Sequence, residues 1–188
     1  MTITAGVDEV GRGPLAGPVV AAPIVLREGT NMDGADDSKK LSGNTREALY
    51  KSITSSALSF GVGAASAHEI DQTNILRATT VAMQRALEGL AIDDCEVVVD
   101  GLPVKGLGIK HDAVVGGDAI IHSIGCASII AKVTRDRLMV RLSERYPEYG
   151  WERNKGYGTS EHRNAIEKHG LTPHHRLTFG GLQYDLEF

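Results

Sequence analysis

Asp8 and Glu9 end the apolar stretch Ala5-Gly6-Val7, and Asp100 ends Val97-Val98-Val99. An acid closing a buried, β-branched run costs free energy unless it meets a cleft, a partner or a cation. Strand ends are also where α/β sheets place their sites. If the two strands are neighbours, Asp8 and Asp100 converge, and a third acid, Asp136 or Asp118, can join them. A carboxylate cluster with no compensating base selects hard divalent cations, Mg²⁺ or Mn²⁺, over zinc. Two such ions suit water activation and leaving-group stabilisation at a phosphodiester. Any one of these acids alone would serve equally well as a cap or turn residue; the argument rests on the set.

Around these acids the apolar pattern alternates between strands and helices. Residues 2–8, 18–26, 57–66 and 96–100 read as strands, and 105–116 contains a weak one. Pro18 and Pro23 suit only strand starts or edges. Helices are expected over 44–56, 74–90, 121–145 and 159–169, with a further start at Ser66, whose spacing to Glu69 is that of a capping box. Pro147 ends the long helix, 149–158 reads as a loop, and 171–188 forms a tail. The pattern predicts an α/β domain of about five strands that occupies all of residues 1–188, with a small helical part from about 147.

The chain has 188 residues with 20 Lys+Arg against 24 Asp+Glu, a net charge of −4, which argues against a non-specific nucleic-acid binder. The charge is unevenly spread: residues 132–176 carry 10 of the 20 cations and 6 acids, net +4. Cys95 and Cys126 have no metal-ligand spacing and build no disulfide framework, so a reduced, cytoplasmic protein is expected. No apolar run reaches the roughly 18 residues of a membrane span, and the N-terminus lacks a signal-peptide pattern.

Gly11-Arg12-Gly13-Pro14-Leu15-Ala16-Gly17 follows a strand as a dinucleotide-binding turn would. The PVVAAPIVL segment after it cannot form the required helix, and two acids precede it. The loop is better suited to bring bare amides and Arg12 to a sugar or phosphate. Asn154-Lys155-Gly156-Tyr157-Gly158 joins a cation, a flexible backbone and an aromatic ring, a composition shared by nucleic-acid contacts and ordinary turns. His174-His175-Arg176 suits phosphate or structural hydrogen bonding better than a metal.

Taken together, AGVDEVGRGPLAGPVVAA from Ala5, DSKKLS from Asp37, HEIDQTNILRAT from His68, VVVDG at 97–101, GGD at 116–118, ASIIAKVTRD at 127–136, KGYGT at 155–159 and HHRLTFG at 174–180 resemble the ribonuclease HII family over nearly the whole chain. The resemblance implies a ribonuclease H-like fold, a mixed five-stranded sheet flanked by helices. It implies cleavage of RNA in RNA–DNA hybrids and incision 5′ to a single ribonucleotide in duplex DNA, with two Mn²⁺ or Mg²⁺ ions and 5′-phosphate and 3′-hydroxyl products. The family's four carboxylates fall on Asp8, Glu9, Asp100 and Asp136, with Asp118 an alternative for the last. Implied substrate contacts fall on Gly11, Arg12, Gly13 and Tyr157; Lys39, Lys155, His175 and Arg176 are further candidate substrate contacts. The 2′-hydroxyl is the group by which a protein tells RNA from DNA.

Gly125-Cys126-Ala127-Ser128 replaces the family's usual Ser-Ala-Ala-Ser, and Arg153-Asn154 stands where a His-Lys pair is common. Seven residues precede Asp8, which resembles type HII rather than the longer type HIII, and the resemblance implies a monomer. The last six residues, Gln183 to Phe188, resemble the hexapeptide that docks bacterial replication proteins on the sliding clamp. The alternatives are a resolvase- or integrase-like DNA nuclease of the same fold and a catalytically silent hybrid-binding module.

Overall fold

The computed structural model describes residues 3–32, 34–35, 41–92 and 95–180. Its centre is one mixed sheet. Strand β1 (Thr4–Val10) runs antiparallel to β2 (Val19–Leu26) and parallel to β5 (Glu96–Asp100), which in turn pairs in parallel with β6 (Asp112–Val114). The outer side of β2 is covered by β3 (Ala57–Phe60) and β4 (Gly63–Ala65), so the order reads β3-β2-β1-β5-β6 with β4 beside β3 on β2. The five-stranded α/β expectation holds in architecture.

The single strand expected over 57–66 is two. Pro23 lies inside β2, not at a strand start, and its carbonyl accepts from Gly61 N at 3.1 Å. It has no N–H to return on that side, and the ladder opens there.

Helix α3 (Ile75–Glu88) packs on one face of the sheet and α4 (His122–Arg145) on the other, with α1 (Gly43–Ser56) against α4. Both faces of the central strands are therefore buried. Ala5, Val7, Val97 and Val99 join Ala78, Ala82 and Met83 of α3, while Ala22 and Ile24 join Cys126, Ala127, Ile129 and Ile130 of α4. Near-continuous apolar runs are what such doubly covered strands require. Gly6 marks the closest approach of α4, because a Cβ there would lie 2.5 Å from the Ser123 carbonyl carbon. The short helix α2 (Ala67–Gln72) starts on the expected capping box: Ser66 Oγ accepts from Glu69 N and the Glu69 carboxylate accepts from Ser66 N. Among the described residues no helix is long and apolar enough to cross a membrane.

The segment read as a loop over 149–158 contains a short helix, α5 (Trp151–Asn154), entered through Gly150 in the left-handed region; α6 (Ser160–His169) follows. A third core forms here, where Tyr149, Trp151, Ala165 and Ile166 meet Leu15, Ala16 and Met139. Its polar centre is a directed chain. Thr172 N–H donates to His175 Nδ1 at 2.9 Å, and His175 Nε2 lies 3.1 Å from His162 Nε2. Trp151 Nε1–H also donates to His162 Nε2, whose other nitrogen, Nδ1, lies 2.9 Å from the Tyr157 carbonyl. Only neutral rings satisfy every contact, with His175 protonated on Nε2 and His162 on Nδ1.

Burial and mutual repulsion push His175 down to about 4, and burial lowers His162 as well. The unfolded chain thus takes up protons below pH 6.5 that the folded chain refuses. Stability should be full above pH 6.5 and fall as pH drops towards about 4. Thermal denaturation across that window checks this, and His175→Gln should flatten the slope.

Candidate active site

The parallel register Val7↔Val99 continues to set Asp8 beside Asp100 at the strand ends. Asp8 is 6% exposed and shares the face of Gly6, towards α4, where the Ser128 hydroxyl hydrogen-bonds it. Its Oδ1 also accepts from Glu9 N at 2.7 Å. Asp100 Oδ1 accepts from Gly117 N at 2.7 Å, which ties the strand end to the turn carrying Asp118. Glu9 points to the other face and pairs with Arg12 at 3.2 Å. Glu9, Arg12 and Asp100 open into a cleft of about 730 Å³ whose walls include Asn74, Arg77, Thr80, Gln84 and Lys105.

The electrostatics are those of an undercompensated acid cluster. Burial, helped by the charges of Glu9 and Asp100, pushes the Asp8 carboxyl up to about 7, against the pull of Ser128. Glu9 is also raised, chiefly by burial, with Arg12 opposing. Among the described residues no three Asp, Glu, His or Cys side chains stand ready as a set to hold a metal ion. The chemistry of the donors nonetheless fits a hard divalent cation: oxygen ligands, excess negative charge and a cleft beside them.

The expected residues divide. Asp8, Glu9 and Asp100 come together, and Asp118, 8% exposed, follows directly on the Gly117 amide that binds Asp100. Asp136 does not join them. It lies two turns of α4 beyond Ser128, about 12 Å further along the axis, and its carboxylate is held by Lys132 at 2.8 Å and Arg46 at 3.8 Å. It faces a separate groove between α1 and α4, shared with Arg137, Arg141 and Lys155. Of the two alternatives, Asp118 is the one that shares the turn tied to Asp100.

Gly11, Arg12 and Gly13 adjoin the acids, and a Cβ on Gly13 would sit 3.9 Å from Cε1 of Tyr157, whose ring is 43% exposed. Lys39 lies outside the described residues. His175 and Arg176, expected to touch substrate, are 2% and 0% exposed and are consumed by internal hydrogen bonds. Nor do residues 132–176 form a simple positive face: Arg135 is buried, Arg137 pairs with Glu47, Lys132 with Asp136, and Arg153 with Glu152 and Glu161. The sequence carries no signal for the roles of Ser128, the Gly117 amide and Arg135, although all three lie within the GGD and ASIIAKVTRD segments. The packing of α4 on β1 and its loop reveals Ser128 and Arg135, and the turn after β6 reveals the Gly117 amide.

A family profile for ribonuclease HII matches residues 5–181. The chain is 51% identical over 181 residues to ribonuclease HII of Burkholderia thailandensis, covering 96% of this chain and 85% of that one. Among solved structures it is similar to ribonuclease H2 of Pyrococcus horikoshii OT3, with a TM-score of 0.80, 30% identity and 95% and 94% of the two chains covered. It is also similar to a chain of the PCNA:RNase HII complex of Archaeoglobus fulgidus, with a TM-score of 0.75, 25% identity and 98% of each chain covered.

For a carboxyl raised by burial, the folded protein holds its proton longer than the unfolded one, so stability falls as pH rises. In chelator, the protein should lose stability between pH 4 and about 7, and Asp8→Asn should remove that loss, melting about 5 °C or more above the parent at pH 8. Added Mn²⁺ should stabilise the parent and not the variant. Calorimetry with and without chelator reads both.

Proposed function

Since the chain belongs to the ribonuclease HII family, metal-dependent nucleases acting on RNA–DNA hybrids, we propose that it also incises duplex DNA 5′ to a single ribonucleotide, with two divalent cations. The observation that carries this reading is the adjacency of the acids, the Gly11–Gly13 loop and Tyr157. Among the described residues the amides of Arg12 and Gly13 donate to no acceptor, leaving them free for a phosphate or a ribose 2′-hydroxyl. Tyr157, exposed beside Gly13, would pack on the sugar that follows.

Asp8, Glu9, Asp100 and Asp118 would hold the cations. Bound there, divalent ions would lower the pKa of a water and neutralise charge on the leaving oxygen. Ser128 orients Asp8, and the Gly117 amide fixes one oxygen of Asp100 so that the other faces the cleft. Arg12 pairs with Glu9 at 3.2 Å and so ties that acid to the loop that would carry the phosphodiester. Fixing these groups before substrate arrives reduces the reorganisation the reaction needs.

A labelled duplex carrying one ribonucleotide should be cut in Mn²⁺ or Mg²⁺, while an all-DNA duplex stays intact. Cleavage of both would favour the DNA-nuclease alternative, and cleavage of neither the silent binding module. Asp118→Asn should lower turnover by about two orders of magnitude or more, as expected for a metal-holding acid, whereas Asp136→Asn should stay within about tenfold of the parent. Equal losses would restore Asp136 to the site.

The Gln183–Phe188 tail lies outside the described residues. We propose that it docks on a sliding clamp, a reading supported by the relative solved with PCNA. Clamp pull-down should fail when 183–188 are removed, and retained capture would end this assignment.

A further inference from the structure

The HHR segment and α4 contribute two fully buried guanidinium groups that the carboxylate chemistry does not use. Both Arg135 and Arg176 are 0% exposed. Arg135 donates through Nε to Pro18 O at 2.9 Å, through Nη1 to Lys155 O at 2.9 Å and through Nη2 to Ala16 O at 3.0 Å. Arg176 donates through Nη1 to Arg12 O at 2.9 Å and through Nη2 to Gly11 O at 2.5 Å. Its Nε and Nη2 share Gly17 O at 3.0 and 2.8 Å. Every one of these acceptors is a backbone carbonyl. Among the described residues neither arginine has a carboxylate at ion-pair distance.

Two cations buried with no carboxylate in direct contact are expensive, and their presence needs a reason. Burial lowers them to about 10 and about 9, Arg135 adds repulsion to Arg176, and the more distant charges of Asp136 and Asp71 oppose the shift, so both stay charged at neutral pH. Their geometry supplies the reason. Of the carbonyls from Gly11 to Pro18, all but those of Gly13 and Pro14 are turned inward to a guanidinium or, for Leu15, to Arg176 N. A peptide whose carbonyl points in presents its N–H outward, so the amides of Arg12 and Gly13 face the cleft. Arg135 does a second task. By holding Ala16 and Pro18 together with Lys155, it sets the gap between the loop and the segment bearing Tyr157. Gly11, at φ +93°, cannot be replaced there, because its Cβ would lie 2.2 Å from Arg135 Nε.

We propose that Arg135 and Arg176 are positioning residues that aim the Arg12 and Gly13 amides and fix their distance from Tyr157, and so set the selectivity for a ribonucleotide flanked by DNA. The proposal rests on reading Gly11–Gly13 and Tyr157 as substrate contacts. Neither arginine touches substrate. Lysine cannot replace either one, since its donors radiate from a single atom and cannot span three separated carbonyls. The buried charge also favours an anion on the loop's outer side, where a phosphate adds to the compensation that Asp71 and Asp136 supply only from beyond ion-pair distance.

The parent is first assayed on the single-ribonucleotide duplex; if it does not incise there, the functional reading fails, whatever the arginines do. Given incision, Arg135→Lys and Arg176→Lys are checked for folding by circular dichroism and melting. They are then compared on the single-ribonucleotide duplex and on a long RNA–DNA hybrid. KM for the single-ribonucleotide duplex should rise about tenfold or more, the scale of loss expected from sub-ångström misplacement. The long hybrid, which offers many registers, should lose much less. Millimolar guanidinium should recover part of the selectivity in Arg176→Ala. Folded variants that keep the parental ratio, or that lose both substrates in proportion, overturn the proposal. If the variants do not fold, amide exchange in the Asp100→Asn protein decides: the ribonucleotide duplex should protect Arg12 and Gly13 amides, and equal protection by an all-DNA duplex overturns the proposal.

Discussion

Helix α4 lies so close to β1 that Gly6 can carry no side chain, and each group of the site takes its place from that contact. Moving along the helix, Ser123 meets Gly6, Ser128 meets Asp8, Arg135 meets Gly11, and Met139 meets Gly17. The helix advances about 1.5 Å per residue and an extended strand about 3.3 Å. Five positions on α4 therefore span roughly the two-residue step from Gly6 to Asp8. One rigid element serves as the ruler for a carboxylate, a glycine turn and a packing boundary together. A side chain at Gly6 would displace all of them, so the constraint is on geometry as much as on stability.

The electrostatics run in two opposed blocks separated by a few residues of β1. At Asp8, Glu9 and Asp100 the protein concentrates negative charge with only Arg12 against it. Just beyond, at Arg135 and Arg176, it buries positive charge chiefly against carbonyl dipoles, with Asp136 and Asp71 acting from beyond ion-pair distance. Each block is unfavourable in the free protein, and each is complementary to part of a nucleic-acid backbone bearing cations. The net charge of −4 conceals this separation. A folded site that stores unfavourable interactions gives up stability to do so, the usual trade at functional sites.

Local signals in the sequence located most elements. The Ser66–Glu69 capping box, the long apolar periodicity of α4 and the acids closing two apolar runs all rely on neighbours within a few residues, and all appear as expected. What escaped depended on partners far away in sequence. Asp136 has the same chemistry as Asp118, and only the position of Ser128 on α4 shows that Asp136 lies too far along the helix. Arg176 carries the charge of a phosphate binder, and only its enclosure by the carbonyls of Gly11, Arg12 and Gly17 shows that it binds backbone. The break between β3 and β4 needed the register that puts Gly61 opposite Pro23. Composition and periodicity carry no such distances.

The reach of Arg176 back to Gly11 spans 165 positions of the chain. Contacts of that separation form late, since a long stretch must order before its ends can meet. During synthesis the glycine turn emerges well before its guanidinium clamp, so a nascent chain carries the acids before the loop beside them is shaped. A loop beside the first strand thus owes its shape to a side chain that the chain supplies only after every described strand is made.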